Sequence, residues 1–183
     1  MKITPLKIQG AALIEIEPLG DERGFFARSF CEQEFADAGL VLSVVQSNLS
    51  QNIKKGTLRG LHYQAQPKPD PKLVSCIKGV IFDVIVDVRE GSPTFCQWSG
   101  VELTADNHKA LYVPSGCAHG FITLTDDALV NYQMGETFVP DLARGVRWND
   151  PAFGVEWPMA PVVISERDAT YPDFMGPDFK GDA

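Results

Sequence analysis

The chain has 183 residues, a net charge of -8 and 44% hydrophobic residues. That suits one soluble domain over residues 1–183, and it excludes a protein that grips nucleic acid by its backbone. No apolar run reaches the ~18 residues of a membrane helix, and MKITPLKIQGAALIEIEPLG lacks a signal-peptide core, so a cytoplasmic protein without membrane contact is expected.

In chain order, ALIEIEPL reads as a strand ending at Pro18. DERGFFARSF alternates, with Phe26, Arg28 and Phe30 on one face and Phe25, Ala27 and Ser29 on the other. CEQEFADAG predicts a short helix stopped by Gly39. VLSVVQSNLSQN predicts a strand, and RGLHYQ another, followed by the proline-rich loop HYQAQPKPDPKL. KLVSCIKGVIFDVIVDVRE is a longer extended stretch broken near Lys78-Gly79. In its second half Val80, Phe82, Val84, Val86 and Val88 share one face, while Ile81, Asp83, Ile85 and Asp87 share the other. One apolar and one mixed face suit a sheet that lines a cavity. FCQWSGVELT, ALYVPS, GFITLT and ALVNYQMGETFV continue the pattern. From Asp141 the chain is turn-rich; SERDATYP predicts one helical turn before Pro172, and YPDFMGPDFKGDA is expected to be a poorly ordered end. Many strands and few helices predict an all-β, double-sheet jelly roll with a few short helices.

Cys31, Cys76, Cys96 and Cys117 form no C-x-x-C pair, so they are expected to be reduced and partly buried. No glycine-rich phosphate loop of the G-x-G-x-x-G or P-loop type occurs. A phosphate would therefore be met by side chains such as Arg23, Arg59, Arg144 or Arg147. A metal-binding jelly roll wants two histidines two residues apart, then a carboxylate and a distant histidine. His62-Tyr63-Gln64 does not supply this, and His119 alone does not complete a site, so no metal is expected. His62 is then either a satisfied core histidine or a base for proton abstraction near neutral pH. The second role needs an orienting carboxylate, for which Asp168 and Asp83 both qualify. It also needs a cation for a developing oxyanion, Lys72, and a proton source, Tyr132. Spacing alone leaves these assignments open.

DERGFF, RGLHYQ, KLV, a DV-VD-R strand ending in REGSPTF, YVPSGCAHGF, ARGVRWNDPAFGVEWP and ISERD follow one another in this order. Over nearly its whole length the chain resembles the dTDP-4-dehydrorhamnose 3,5-epimerase family of cupins. The resemblance implies a metal-free, cofactor-free jelly roll and a homodimer whose N-terminal segment crosses to the partner. It implies a substrate in which a 4-keto-6-deoxyhexose is linked to a nucleotide, with inversion at C3 and C5. By matching positions, His62 is the base and Asp168 its orienting partner. Lys72 stabilises the enolate oxygen and Tyr132 delivers a proton from the opposite face. Arg59 and His119 match sugar- and phosphate-contacting positions. Gln46, Ser47 and Asn48 match nucleotide contacts, as does Arg23, which with Phe26 reaches over from the partner chain.

Four positions depart from the family pattern. Arg28 stands where a base-recognising glutamate is usual, Phe138 replaces a stacking tyrosine, Ala143 a glutamate and Arg167 a lysine. Phe138 keeps the ring that stacking needs. Arg28 only donates hydrogen bonds where a carboxylate accepts them. The expected nucleotide is dTDP, with CDP- and GDP-linked sugars as alternatives. A mono-epimerase, a 3,4-ketoisomerase, a metal oxygenase and a nucleotide-sugar binding protein without turnover are the rival readings.

Overall fold

The alternation in Val80–Asp87 sorts into two environments in the computed structural model, which describes residues 1–176. Val84 and Val86 turn outward onto Phe153, Trp98 and Trp157, whereas Ile81 and Ile85 turn inward onto Val74, Leu111 and Val130. Asp83 and Asp87 share that inner face and are fully buried. The strand therefore belongs to one wall of a double-layered molecule.

The strands are β1 Lys2–Pro5, β2 Ala12–Glu15, β3 Leu19–Asp21, β4 Gly24–Phe26, β5 Gln46–Asn52, β6 Leu58–Gln64, β7 Lys72–Lys78, β8 Val80–Asp87, β9 Trp98–Thr104, β10 Lys109–Val113, β11 Cys117–Thr123, β12 Ala128–Met134 and β13 Ala143–Gly145. The helices are α1 Glu32–Asp37 and α2 Glu166–Thr170. One sheet runs β1-β2-β10-β7-β12-β5 and the other β13-β6-β11-β8-β9. All strand pairs within them are antiparallel. This is the jelly-roll arrangement expected from the sequence. At one end the space between the sheets is filled by Ile8, Val74, Ile85, Leu111, Phe121 and their neighbours. At the other end it stays open as a cavity.

Several boundaries differ from the sequence reading. β1 was not foreseen; it pairs with β2 in a hairpin. DERGFFARSF does not form one alternating strand. It contributes to the small β3–β4 hairpin, which pairs with neither large sheet and is exposed on both faces. Its third ring, Phe30, packs instead on Phe35 of α1, beside Tyr112. Residues 41–45 precede the strand rather than belonging to it. There Val41 accepts the Tyr112 hydroxyl and Leu42 is buried. The break at Gly79 is real: it adopts a positive φ of 79°, and a Cβ there would lie 2.5 Å from Thr125 Oγ1. The expected loose end is overturned at Tyr171, which is buried, and at Phe174, which packs on Phe95 and Phe153. The rest of that expectation, from residue 177 onward, lies outside the described residues. Among the described residues no helix is long and apolar enough to cross a membrane.

Candidate active site

Arg59 and His62 are three residues apart, and strict alternation would send them to opposite faces of β6. Both nevertheless line the cavity. The pairing with β11 explains this. His62 lies opposite His119 and Arg59 opposite Phe121, so three steps on β6 match two on β11. The extra residue is a β-bulge, and it resets the phase of the strand. Glycines make it possible. Gly60 has a φ of 131°, and a Cβ on it would lie 2.5 Å from the Gly120 Cα.

The cavity, about 640 Å3, gathers side chains from both sheets and from the C-terminal segment. His62 and His119 enter from one sheet; Lys72, Tyr132 and Asn48 enter from the other. Residues 163–168 close a third side, held by the Leu58 N–H donating to the Val163 carbonyl and by a bridge between Thr57 and Val163.

His62 Nε2 lies 2.7 Å from Asp168 Oδ1. Asp168 reaches it from α2, whose N-cap Ser165 accepts the Asp168 N–H. The other oxygen, Oδ2, accepts the Gly60 N–H, so the carboxylate is tied to the bulge as well as to the imidazole. Burial pushes the Asp168 carboxyl up, but the His62 hydrogen bond and charge and the Gly60 N–H outweigh it and leave the group below its ordinary range. Asp168 is thus a fixed anion behind a half-exposed imidazole.

His119 has a carboxylate of its own. Its Nε2 lies 2.7 Å from Asp83 Oδ1, and Asp83 Oδ2 is buried with no hydrogen-bond partner among the described residues. Burial pushes Asp83 up, against the pull of His119 and Lys72. Tyr132 stands edge-on to His119, with centroids 5.9 Å apart. Burial and the Asp83 charge push its phenol well up, opposed by Arg59, so it stays protonated at neutral pH. Lys72 is nearly buried and pairs with Asp70 at 2.9 Å; Asp70 also accepts the Gln64 N–H. Arg59 donates its Nε–H to Asn52 at 2.8 Å.

Of the residues expected at the site, His62, Lys72, Tyr132, Asp168, Asn48, Arg59, His119 and Arg167 line this cavity. Phe138 and Arg167 line a smaller adjoining pocket of about 220 Å3, together with Ala143. Five expected residues line neither within this chain. Arg23 pairs with Asp21 on the exposed hairpin, where Phe26 also lies. Arg28 pairs with Glu34 of α1. Gln46 bonds Asn48 and Phe138 from the rim. Ser47 bonds Asn131 on the outer face of its sheet, because alternation along β5 puts it opposite in sense to Asn48.

Sequence reasoning missed Asp70, Asn52 and Tyr171 and left Asp83 unranked against Asp87. Asp87 serves the fold instead, accepting from Arg89, Ser92 and Thr94. Among the described residues no group of three His, Cys, Asp or Glu side chains is arranged to hold a metal ion.

The family model for dTDP-4-dehydrorhamnose 3,5-epimerase matches residues 5–175. The chain belongs to this family. The dTDP-4-dehydrorhamnose 3,5-epimerase of Methanothermobacter thermautotrophicus is 43% identical, over 90% of this chain and 89% of that one. The crystal structure of the Bacillus anthracis dTDP-4-dehydrorhamnose 3,5-epimerase with TDP and PPi bound superposes with a TM-score of 0.90 at 42% identity, covering 94% of this chain and 99% of that one. The Legionella pneumophila dTDP-6-deoxy-D-glucose-3,5-epimerase in complex with dTDP-4-keto-L-rhamnose gives a TM-score of 0.85 at 40% identity, covering 91% and 89%. The dTDP-4-dehydrorhamnose 3,5-epimerase fold is therefore shared along nearly all of this chain.

Proposed function

We propose that the protein inverts C3 and C5 of dTDP-4-dehydro-6-deoxy-D-glucose, giving dTDP-4-dehydro-L-rhamnose. The observation that carries this is His62, backed by Asp168 at 2.7 Å, facing one cavity with Tyr132 and Lys72. A neutral His62 that donates Nε2–H to Asp168 keeps the Nδ1 lone pair for a substrate proton. It takes the C–H proton beside the ketone. The C–H electron pair forms a carbon–carbon double bond, and the carbonyl pair moves onto oxygen as an enolate. Lys72 supplies the cation for that oxygen. Tyr132, across the cavity, returns a proton to the opposite face of the same carbon, and the configuration is inverted. Proton exchange with solvent then resets His62 and Tyr132. The same base serves C3 and C5 because both flank one carbonyl.

Arg59, His119 and Asn48 bind the sugar and diphosphate, and Phe138 stacks on the base. The protein acts as a homodimer in which the partner's Arg23 and Phe26 approach the nucleotide. The full exposure of the β3–β4 hairpin, away from its own cavity, supports this. Four free cysteines support a cytoplasmic setting.

The test is proton NMR in D2O with dTDP-, CDP- and GDP-linked 4-keto-6-deoxyhexoses. Deuterium at C3 and C5 of the dTDP sugar, with inverted couplings, is expected. Exchange at one carbon only would make it a mono-epimerase. Exchange confined to a CDP or GDP sugar would move the specificity to that nucleotide.

A further inference from the structure

Tyr171 lies beyond the last turn of α2, in a stretch whose composition predicts a loose end, yet it is 3% exposed. Its ring fills the space over Gly145, where a Cβ would collide with it. Gly145 pairs with His62 between β13 and β6, so the ring also stands edge-on to the imidazole, with centroids 6.3 Å apart. The hydroxyl accepts the Arg167 Nε–H at 2.7 Å, and the guanidinium carbon lies 5.7 Å from the ring centroid. This i,i+4 pair holds the arginine at its neck. The terminal nitrogens of Arg167 make no hydrogen bond within the described residues, and Arg167 borders both the main cavity and the smaller pocket.

The walls of that smaller pocket have a clear chemical bias. Phe138 offers an exposed flat ring. Arg167 offers donors only. Ala143 brings no acceptor, and the one carboxylate, Asp70, is engaged by Lys72 and the Gln64 N–H. A flat ligand with acceptor oxygens on its edge fits such walls.

We propose that Tyr171 is a positioning residue for nucleotide recognition, clamping Arg167 so that its terminal N–H groups meet a carbonyl oxygen of a pyrimidine base lying against Phe138. The inference rests on the nucleotide-sugar reading above. A lysine at this position would carry its only nitrogen at the tip and would leave the tyrosine hydroxyl no Nε–H to hold.

The experiment is calorimetric titration of dTDP and of pyrophosphate into the wild type, Tyr171→Phe, Arg167→Lys and the double variant. Tyr171→Phe keeps the ring under Arg167 and beside His62 and removes only the hydrogen bond. It is expected to weaken dTDP by about 10-fold with pyrophosphate unchanged. In the Arg167→Lys background the same change is expected to have no further effect, whereas a merely structural tyrosine would give additive losses. Equal weakening of dTDP and pyrophosphate, additivity, or no change in dTDP binding would each overturn the clamp. A wild type that binds pyrophosphate but gains nothing from the thymidine moiety would overturn the dTDP reading along with it. Normal dTDP binding that is indifferent to Tyr171 would overturn the clamp alone.

Discussion

His62 and His119 lie directly opposite each other on β6 and β11, and each sets Nε2 against a carboxylate at 2.7 Å. The two dyads are not equivalent. Asp168 is held below its ordinary range behind a half-exposed ring, while burial drives Asp83 upward behind a buried one. Proton transfer with substrate suits the accessible imidazole, and the buried one is fitted to hold its ring in place.

His62→Ala is expected to lower turnover by at least about 100-fold, the usual contribution of a positioned base. Asp168→Asn should also fall steeply, since it keeps the ring's neighbour but removes the charge. Steady-state kinetics on the keto sugar checks both; near-normal turnover in His62→Ala would remove the base from the mechanism.

Tyr132→Phe should separate proton removal from inversion. Deuterium exchange into unreacted substrate is expected to persist while product formation drops by about 100-fold or more. Parallel loss of exchange and inversion would assign Tyr132 elsewhere. Lys72→Ala should lower both, by on the order of 3 kcal/mol of transition-state stabilisation.

How legible was this in the sequence? The alternation of β8 was, because period-two patterning reads out directly as two faces: Val84 and Val86 on one, Asp83 and Ile85 on the other. The expectation for His62 and Asp168 came from resemblance; no local rule links residues 106 apart. The common side of Arg59 and His62 depends on one extra residue, which periodicity does not reveal. Asp83 and Asp87 looked alike because they share a face. Only the neighbours brought by other strands, His119 for one and Arg89 for the other, tell them apart. Tyr171 carried no signal, since its burial is decided by Gly145, distant in sequence.

Asp83→Asn should trade stability against activity. A carboxyl raised by burial disfavours the folded state increasingly as pH climbs from its unfolded value near ~3.9 through its folded value. Removing the charge while keeping a group that can bond His119 is therefore expected to leave the melting temperature at pH 7 equal or higher, with turnover down by about 10-fold or more. A lower melting temperature with unchanged turnover would make Asp83 a structural residue.

Asp87 has the opposite sign. Burial raises its carboxyl, but hydrogen bonds from Arg89, Ser92 and Thr94 overcome that and bring it down to about 2. Its contribution, roughly 2 kcal/mol, is present above the ordinary carboxylate value and is lost as pH falls through 2. Urea unfolding between pH 5 and about 2 should show a shallower acid decline in Asp87→Asn than in the wild type.

Gly60→Ala tests the bulge. With a φ of 131° and only 2.5 Å to the Gly120 Cα, a side chain there forces β6 and β11 apart. A loss of at least about 2 kcal/mol in unfolding free energy is expected, together with lower activity as the Gly60 N–H leaves Asp168.

The bulge also bears on how such a site can arise or disappear. Along an ordinary strand a substitution changes which side chain is presented, but not which layer it enters. On β6 that holds only where the strand is regular. Deleting the extra residue between Arg59 and His62 would leave the two side chains two positions apart, on one face by plain alternation, while the Gly60 N–H that Asp168 accepts would be lost. Straightening the bulge with every residue kept would instead drive the arginine or the histidine toward the apolar layer of Val84 and Val86, with no chemical change to either. For this strand, a replaced glycine is therefore a more drastic evolutionary event than a lost one. Descendants that keep all their polar residues but no longer tolerate the bulge would be expected to have surrendered proton chemistry.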